Sequence, residues 1–210
     1  LYTGKGALQM TDRNTLLASL RLSDRRLTHT LGVEKAALTI AARHFPALRE
    51  EEVSAAALLH DCTKEWTAAE QLAFCDSQGI GLDAQEKACV KVLHGRTAAV
   101  LAERTFGLPA AVCDAIRRHS TLCERYAPLD AVLFLADFIE ENRRSLACVR
   151  CREYYEGLWR CGDPHALEKA LVFGLDAVIR ENLEDGNLIL KDTLESRNAI
   201  LYRLSVDGRG

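Results

Sequence analysis

The segment AAALLHDCTKEW (residues 55–66) contains the pattern that matters most for the fold, because a short apolar run ends directly in a histidine–aspartate pair. The run 55–59 is typical of a buried helix. His60 and Asp61 follow at the helix end, where the backbone is less constrained and two adjacent side chains can reach one metal ion. His-Asp dipeptides are common in proteins, so this pair alone is a weak indication of a metal site.

Helical periodicity continues on both sides of this segment. Apolar residues recur at spacings of three and four, and no stretch alternates with a period of two for long enough to indicate a sheet. The predicted helices cover residues 12–21, 24–45, 49–61, 67–77, 84–92, 95–105, 109–119, 128–143, 149–159, 164–185 and 190–206. The predicted N-caps are Asp24 and Thr67, and Gly79 is a predicted C-terminal stop. We therefore predict an all-α fold with one domain at residues 11–210, preceded by a flexible N-terminal arm at residues 1–10.

The composition argues against several functional classes. The chain has 210 residues, of which 48% are hydrophobic, and a formal net charge of −3. These values do not favour disorder, general nucleic-acid binding or membrane binding. The longest apolar run is broken by Asp137, far short of the roughly 20 residues that a membrane span requires. Eight cysteines without a signal-peptide pattern favour free thiols in a reducing compartment, so we expect a cytoplasmic protein.

Asp137 is a second candidate ligand because it interrupts the most apolar segment of the chain, residues 132–139. A carboxylate buried alone is costly, so this side chain must be paired or bound to a metal. Arg143 and Arg144 are the alternative partners. Imidazole nitrogens combined with carboxylate oxygens suit iron, manganese or zinc rather than calcium.

Four of the six histidines lie in contexts that suit metal ligands. They are His29, His60, His94 and His119. A lone histidine on an apolar face is more often a core residue than a ligand, so none of the four is decisive by itself. His44 and His165 have no such neighbours, and we expect them on the surface.

The order of these side chains resembles the ligand pattern of the HD-domain phosphohydrolases, and within them the YqeK-type family of symmetrical bis(5′-nucleosyl)-tetraphosphatases. The matching segments are RLTHTLGV (26–33), AAALLHDCTKEW (55–66), HGRTAAVLAERTFGL (94–108), AIRRHST (115–121), LDAVLFLADFIEENR (129–143) and ESRNAIL (195–201). The resemblance implies an HD-domain helical bundle that binds two divalent metal ions. Iron is the first choice, and manganese and zinc are the alternatives.

The resemblance also implies a role for each side chain in the pattern. One ion would be held by His29, His60, Asp61 and Asp137. The second ion would be held by Asp61, His94 and His119, with the Asp61 carboxylate bridging the two. Lys64 would lie beside the reacting phosphate, so Asp61 and Lys64 are the catalytic candidates.

The substrate-binding candidates are basic or hydroxyl side chains that flank a ligand or its helix. They are Arg26, Lys64, Arg96, Ser120, Thr121 and Arg143. A solvated surface position remains the alternative for each of the arginines. The stretch 120–123 and Tyr126 depart from the family pattern after the fourth histidine. Since this loop would line the nucleotide pocket, the base preference stays open.

The activity implied by the resemblance is symmetrical cleavage of diadenosine tetraphosphate into two ADP molecules, by attack of a metal-bound hydroxide on an inner phosphate. The expected partner is therefore a dinucleoside polyphosphate, and a homodimer is compatible with the sequence. One alternative is an HD-type phosphohydrolase or phosphodiesterase that acts on another nucleotide. A second alternative, from a different class, is a non-catalytic nucleotide-binding regulatory module.

The cysteines offer a separate hypothesis. Cys148, Cys151, Cys161 and His165 follow a C-x2-C-x9-C-x3-H pattern that could hold a tetrahedral zinc ion. The alternative is an ordinary amphipathic helix in which Cys148 and Cys151 lie three residues apart. Most other cysteines occupy apolar faces and are expected to pack as small hydrophobic side chains. Cys62, next to Asp61, is a candidate for oxidation.

Overall fold

The computed structural model describes residues 11–207, and the N-terminal arm predicted at residues 1–10 lies outside them. The described residues form α1 (Arg13–Ser19), α2 (Asp24–His44), α3 (Glu50–Leu59), α4 (Ala68–Gln78), α5 (Ala84–Ala88), a 3₁₀-helix (Val90–Val92), α6 (Leu93–Phe106), α7 (Ala110–Arg118), α8 (Pro128–Ile139), α9 (Leu146–Arg160), α10 (Ala166–Glu184) and α11 (Lys191–Asp207). No strand occurs in this part of the chain, so the prediction of an all-α single domain is confirmed. None of the described helices is both long and apolar enough to cross a membrane.

Helix ends mostly follow the predicted capping chemistry. Thr67 caps α4 in a capping box, and Gly79 ends the same helix with φ of +67°, in the left-handed region that favours glycine. The prediction for α2 is wrong, because its N-cap is Ser23. The Oγ of Ser23 accepts a hydrogen bond from the N–H of Arg26, whereas Asp24 is the first helical residue, where its carboxylate faces the positive end of the helix dipole.

Several predicted helices are shorter than expected, and two of them end beside residues of interest. The helix predicted at 128–143 ends at Ile139, because Glu140 has an extended backbone with ψ of 151°. The helix predicted at 49–61 ends at Leu59, and the residues that follow continue in turns. Glu140 is therefore held by extended backbone, whereas His60 and Asp61 lie in the turns directly after α3.

The centre of the bundle is α8. Its residues 129–136 are almost entirely buried, as expected for a helix that is apolar on most of its surface. α8 packs against α2, α3, α7, α9 and α10, so most of the fold surrounds it. Asp137 follows this buried stretch, and its side chain is largely covered, with 17% of its surface exposed.

α6 and α7 approach each other closely at Gly95. A Cβ atom added to this glycine would lie 2.9 Å from the carbonyl oxygen of Arg117 and 3.2 Å from that of Ile116. Such distances are shorter than normal contacts, so only glycine fits here. The close packing places His94, the residue before Gly95, next to His119 at the end of α7.

The two histidines that were expected on the surface are both only partly exposed. His44 packs against Tyr155 and Trp159, and its Nε2 lies 3.0 Å from the Tyr155 hydroxyl. The surface prediction is wrong for His44, because α9 covers the end of α2, a long-range contact that local sequence does not show. His165 is the residue before α10.

Candidate metal centre

Five helices bring four histidines and two aspartates into one buried cluster. The contributing positions are His29 in α2, His60 and Asp61 after α3, His94 in α6, His119 after α7 and Asp137 in α8. Three sets of side chains have ligand atoms that all lie within 4.8 Å of one another: His29–His60–Asp61, His60–His119–Asp137 and Asp61–His94–His119. The structure thus brings together all six of the predicted metal ligands.

The two carboxylate oxygens of Asp61 face different pairs of histidines. Oδ2 lies 3.7 Å from Nε2 of His29 and 3.6 Å from Nε2 of His60. Oδ1 lies 3.2 Å from Nε2 of His94 and 3.6 Å from Nε2 of His119. This division places Asp61 between two half-sites, each of which has its own pair of imidazoles.

Asp137 belongs to one of these half-sites. Its Oδ1 lies 3.0 Å from Nε2 of His29 and 3.8 Å from Nε2 of His60. Together with Oδ2 of Asp61, it gives this half-site two nitrogen and two oxygen atoms. The other half-site has two nitrogens and one oxygen, and its Nε2 atoms from His94 and His119 are 2.9 Å apart.

Three of the rings are oriented by backbone carbonyls. Nδ1 of His60 lies 2.6 Å from the Ala57 carbonyl oxygen, and that of His94 lies 2.8 Å from the Lys91 carbonyl. Nδ1 of His119 lies 2.7 Å from the carbonyl three residues earlier. A proton on Nδ1 that is donated in this way leaves the lone pair of Nε2 free to bind a metal. The Nε2 atoms of all three rings point into the cluster.

Two nitrogen atoms of the cluster, Nε2 of His29 and Nε2 of His60, are buried without a hydrogen-bond partner among the described residues. Burial also lowers the pKa of His60 to about 4, so the ring is neutral at physiological pH. A buried, neutral and unpaired imidazole nitrogen beside two carboxylates suits a first-row divalent ion.

Both aspartates are ionised in this environment. Burial raises the pKa of Asp61, but the surrounding imidazoles of His60, His119 and His94 outweigh it and hold that pKa well below its usual range. Burial likewise raises the pKa of Asp137, and Arg143 and His29 outweigh it in the same way. The cluster therefore offers two negative charges to a bound cation.

Three predicted cationic residues border the cluster. Nζ of Lys64 lies 3.2 Å from Nε2 of His94. Nη1 of Arg26 lies 2.5 Å from Oδ2 of Asp61, and Nη2 of Arg143 lies 2.6 Å from Oδ1 of Asp137. Asp137 is therefore paired with Arg143 rather than Arg144, and the same carboxylate oxygen also contacts His29 and His60. Burial lowers the pKa of Lys64, although Asp61 and Asp137 oppose the effect.

Of the remaining predicted substrate contacts, Ser120 and Thr121 lie at or next to the cluster, and Arg96 points away from it. Oγ of Ser120 lies 3.2 Å from Nε2 of His119, at the edge of the cluster. Thr121 is next in the chain, and its hydroxyl donates to the Leu122 carbonyl. Arg96 is directed elsewhere, since its guanidinium contacts Glu86 and the Gly81 carbonyl.

Two features of the site were missed in the sequence. Thr63, between Asp61 and Lys64, belongs to a buried hydrogen-bond network with Thr97 and Gln71 that holds the loop against α6. Glu140 lies 3.1 Å from Nδ1 of His29. In the helix predicted at 128–143, Glu140 would share a face with Asp137 three residues earlier, a signal that could have indicated it, although the helix ends at Ile139.

The cysteines do not contribute to such a cluster. Among residues 11–207, no group of candidate metal ligands includes a cysteine, so the alternative zinc site is not formed there. Cys151 is buried and its Sγ contacts the Ala170 carbonyl, whereas Cys161 is exposed. Burial and the nearby Asp61 raise the pKa of Cys62 to about 12, which opposes the thiolate formation that oxidation requires.

A cavity of about 810 Å³ between α1, α2 and α3 is a separate feature of the fold. It is lined partly by leucines and by the ion pair between Arg13 and Glu34. None of its lining residues belongs to the histidine–aspartate cluster. We place the functional site at the cluster, because within residues 11–207 the candidate groups of metal-ligand atoms all belong to it.

The fold and the cluster define a class: an all-helical protein whose buried centre presents nitrogen and oxygen ligands that suit divalent ions. Residues 26–142, more than half of the chain, match the model of the HD domain. The chain therefore belongs to the HD domain family and is a hydrolase of the HD superfamily. HD domains bind divalent metals, and the cluster fits that property.

A solved structure supports this assignment over nearly the whole chain. It is the crystal structure of a predicted HD superfamily hydrolase involved in NAD metabolism from Clostridium acetobutylicum. The two chains are 25% identical and superpose with a TM-score of 0.81, and the match covers 93% of this chain and 100% of the other. No curated protein matches the sequence.

Proposed function

We propose that this protein is a metal-dependent phosphohydrolase of the YqeK type that cleaves diadenosine tetraphosphate symmetrically into two ADP molecules. The observation that carries the proposal is the division of the Asp61 carboxylate, with one oxygen toward each pair of histidines. A carboxylate in this position is suited to bridge two divalent ions. Paired ions of this kind recur in enzymes that hydrolyse phosphate bonds.

The predicted ligands divide between the two ions as follows. His29, His60, Asp61 and Asp137 would hold one, and Asp61, His94 and His119 would hold the other. Two divalent ions, iron first and manganese or zinc as alternatives, would supply a water activated at neutral pH and would neutralise charge on the phosphates. The four imidazoles and two carboxylates leave coordination positions for water and substrate, as catalysis requires.

The chain's own cations support a polyphosphate substrate. Lys64, beside His94, would stabilise the negative charge that develops on the leaving ADP. Arg26 and Arg143 present guanidinium groups, which bind phosphate through paired hydrogen bonds, at the two aspartates. In the proposed reaction, the oxygen of water adds to one inner phosphorus. The bond from that phosphorus to the central bridging oxygen breaks, and this oxygen leaves with the second ADP.

A second candidate substrate is a dinucleotide pyrophosphate such as NAD. The Clostridium acetobutylicum protein is described as involved in NAD metabolism. NAD and diadenosine tetraphosphate both join two nucleosides through phosphoanhydride bonds, so the same centre could act on either. Diadenosine tetraphosphate has four phosphates and NAD has two. The longer polyphosphate offers more negative charge to Lys64, Arg26 and Arg143. We therefore keep diadenosine tetraphosphate as the first candidate.

The experiment compares substrates on one enzyme preparation. Protein loaded with iron or manganese under anaerobic conditions is incubated with diadenosine tetraphosphate, NAD or ATP, and the products are separated by anion-exchange chromatography. We expect ADP alone from the tetraphosphate. AMP with ATP would contradict symmetrical cleavage, and AMP with nicotinamide mononucleotide would favour NAD. Absence of turnover with every substrate would favour the non-catalytic binding module.

The matched variants are two aspartate substitutions. Asp61→Ala removes both half-sites at once, so turnover and metal content should be lost together. Asp76→Ala changes an exposed aspartate on α4 and should leave both unchanged. Turnover that persists in Asp61→Ala would contradict the proposed centre.

A further inference from the structure

His29 differs from the other three histidines in how its ring is fixed. His60 and His119 follow directly after helices and His94 lies in the first turn of α6, and each donates to a carbonyl three residues earlier. His29 lies inside α2 (Asp24–His44), where regular main-chain hydrogen bonds occupy the carbonyls. Its Nδ1 instead lies 3.1 Å from Oε1 of Glu140.

The side chain of Glu140 is buried next to His29. Its side chain is only 1% exposed, although glutamate is rarely buried. Oε2 accepts hydrogen bonds from the backbone N–H of Asn142 at 2.7 Å and from its side-chain amide at 3.0 Å. One oxygen is therefore held by Asn142, which leaves the other directed at His29.

Gly32 makes room for this carboxylate. It lies three residues after His29 on the same face of α2, and a Cβ atom added to it would overlap Oε2 of Glu140. It would also lie 2.9 Å from the side-chain amide of Asn142. The glycine and the glutamate are thus complementary parts of one contact between α2 and the end of α8.

We propose that Glu140 is a positioning residue, whose carboxylate accepts the Nδ1 proton of His29 and so directs Nε2 of His29 towards Asp61 and Asp137. The inference rests on the proposed metal centre. Asp137 Oδ1 lies 3.0 Å from Nε2 of His29, so two carboxylates three residues apart contact the two nitrogens of one ring. A carboxylate that binds the second nitrogen of a ligating histidine fixes its tautomer and raises its basicity.

The most direct test is Glu140→Gln in the zinc-loaded protein. Both oxygens of Glu140 accept hydrogen bonds, whereas a glutamine of the same shape has one acceptor oxygen and cannot serve both sides. The affinities of the two zinc sites are measured by competition with a chelator. We expect one site to weaken about 10- to 100-fold and the other to keep its affinity. The matched control is Glu141→Gln, an exposed neighbour that contacts Lys35 and should change neither site.

A second variant and a spectroscopic signal separate positioning from a merely structural role. Gly32→Ala retains the glutamate but displaces it, so the same site should weaken. In ¹H–¹⁵N spectra of the zinc-loaded protein, the Nδ1 proton of His29 should exchange slowly in the wild type and rapidly in both variants. Unchanged affinities and an unchanged resonance in Glu140→Gln would overturn the role of Glu140 and leave the proposed metal centre standing. A wild-type protein that binds neither zinc, iron nor manganese would overturn the proposed metal centre and this inference with it.

Discussion

His94 and His119 lie on different helices, yet their Nε2 atoms are 2.9 Å apart and both face Oδ1 of Asp61. This contact depends on Gly95, where the backbone of α6 meets the carbonyl end of α7 without a side chain between them. The close packing of α6 against α7 is therefore also what sets the geometry of the half-site formed by His94 and His119.

Gly95→Ala should lower both stability and metal affinity. The added methyl group would lie 2.9 Å from the Arg117 carbonyl, so the helices must separate, at a cost of about 1–3 kcal/mol in the free energy of unfolding. Urea denaturation measures this change. The matched control is Gly157→Ala in α9, where nothing lies within 4 Å of the new methyl group and helix propensity should stabilise the protein by about 0.5–1 kcal/mol. Similar effects from the two substitutions would refute the packing argument.

Single histidine substitutions should empty the two half-sites separately. His94 contacts Oδ1 of Asp61, whereas His29 contacts Oδ2 of Asp61 and Oδ1 of Asp137. His94→Ala and His29→Ala should therefore each lose one of two bound ions, while Asp61→Ala loses both. Elemental analysis after equilibrium dialysis gives the stoichiometry. Loss of both ions in His94→Ala and in His29→Ala alike would show that the half-sites do not bind independently.

Lys64→Gln should impair catalysis and spare metal binding. The lysine is not one of the six ligands, but its ammonium group lies 3.2 Å from Nε2 of His94 and faces the centre. Removal of a charge that stabilises the transition state lowers kcat by about 100- to 1,000-fold. Steady-state kinetics and metal titration are compared with those of Lys87→Gln, which changes an exposed residue of α5. A rise in KM with kcat unchanged would assign Lys64 to substrate binding alone.

Acid should destabilise the metal-free protein in a defined pH window. Burial lowers the pKa of His60 and of His94 to about 4 from the usual 6.5. Between these values the unfolded chain binds protons that the folded chain does not, so stability is complete above pH 6.5 and falls towards pH 4. The loss is about 3 kcal/mol for each ring. His29 affects stability in the opposite direction, because its pKa is raised in the folded protein. Its contribution to stability is present at low pH and is lost as the pH rises above 6.5.

Urea midpoints measured at pH 7 and pH 5 in the presence of a chelator test this prediction. The wild type should have the lower midpoint at pH 5. His60→Asn removes one of the two rings, so its midpoint should depend less on pH. An equal dependence in the variant and the wild type would mean that His60 is not the titrating group.

Much of the helical pattern could be predicted from sequence, because local chemistry determines it. Thr67 caps α4 and Gly79 ends it, as the residue types predict. The errors occur where a distant partner decides the local structure. The helix after Pro128 was predicted to continue to residue 143, but Glu140 leaves the helix and contacts His29, which is more than one hundred residues earlier in the chain.

The site shows the same division between local and distant information. The resemblance to the HD-domain phosphohydrolases predicts a set of six ligands, and the structure places all six together. It does not predict which oxygen of Asp61 faces which ring, since that depends on the packing of four helices. The same limit applies to Arg96, a predicted substrate contact whose side chain instead reaches Glu86.

The way in which the four rings are held has a consequence for how this centre can evolve. Three rings are held by carbonyl oxygens of the main chain, which every amino acid carries, so no single codon change at those positions deletes the acceptor. The acceptor for His29 is a side chain at position 140 and can be exchanged. Substitution at position 140 can therefore change how His29 is held without replacing a metal ligand. This position is open to natural drift and to a laboratory library that seeks a different metal preference.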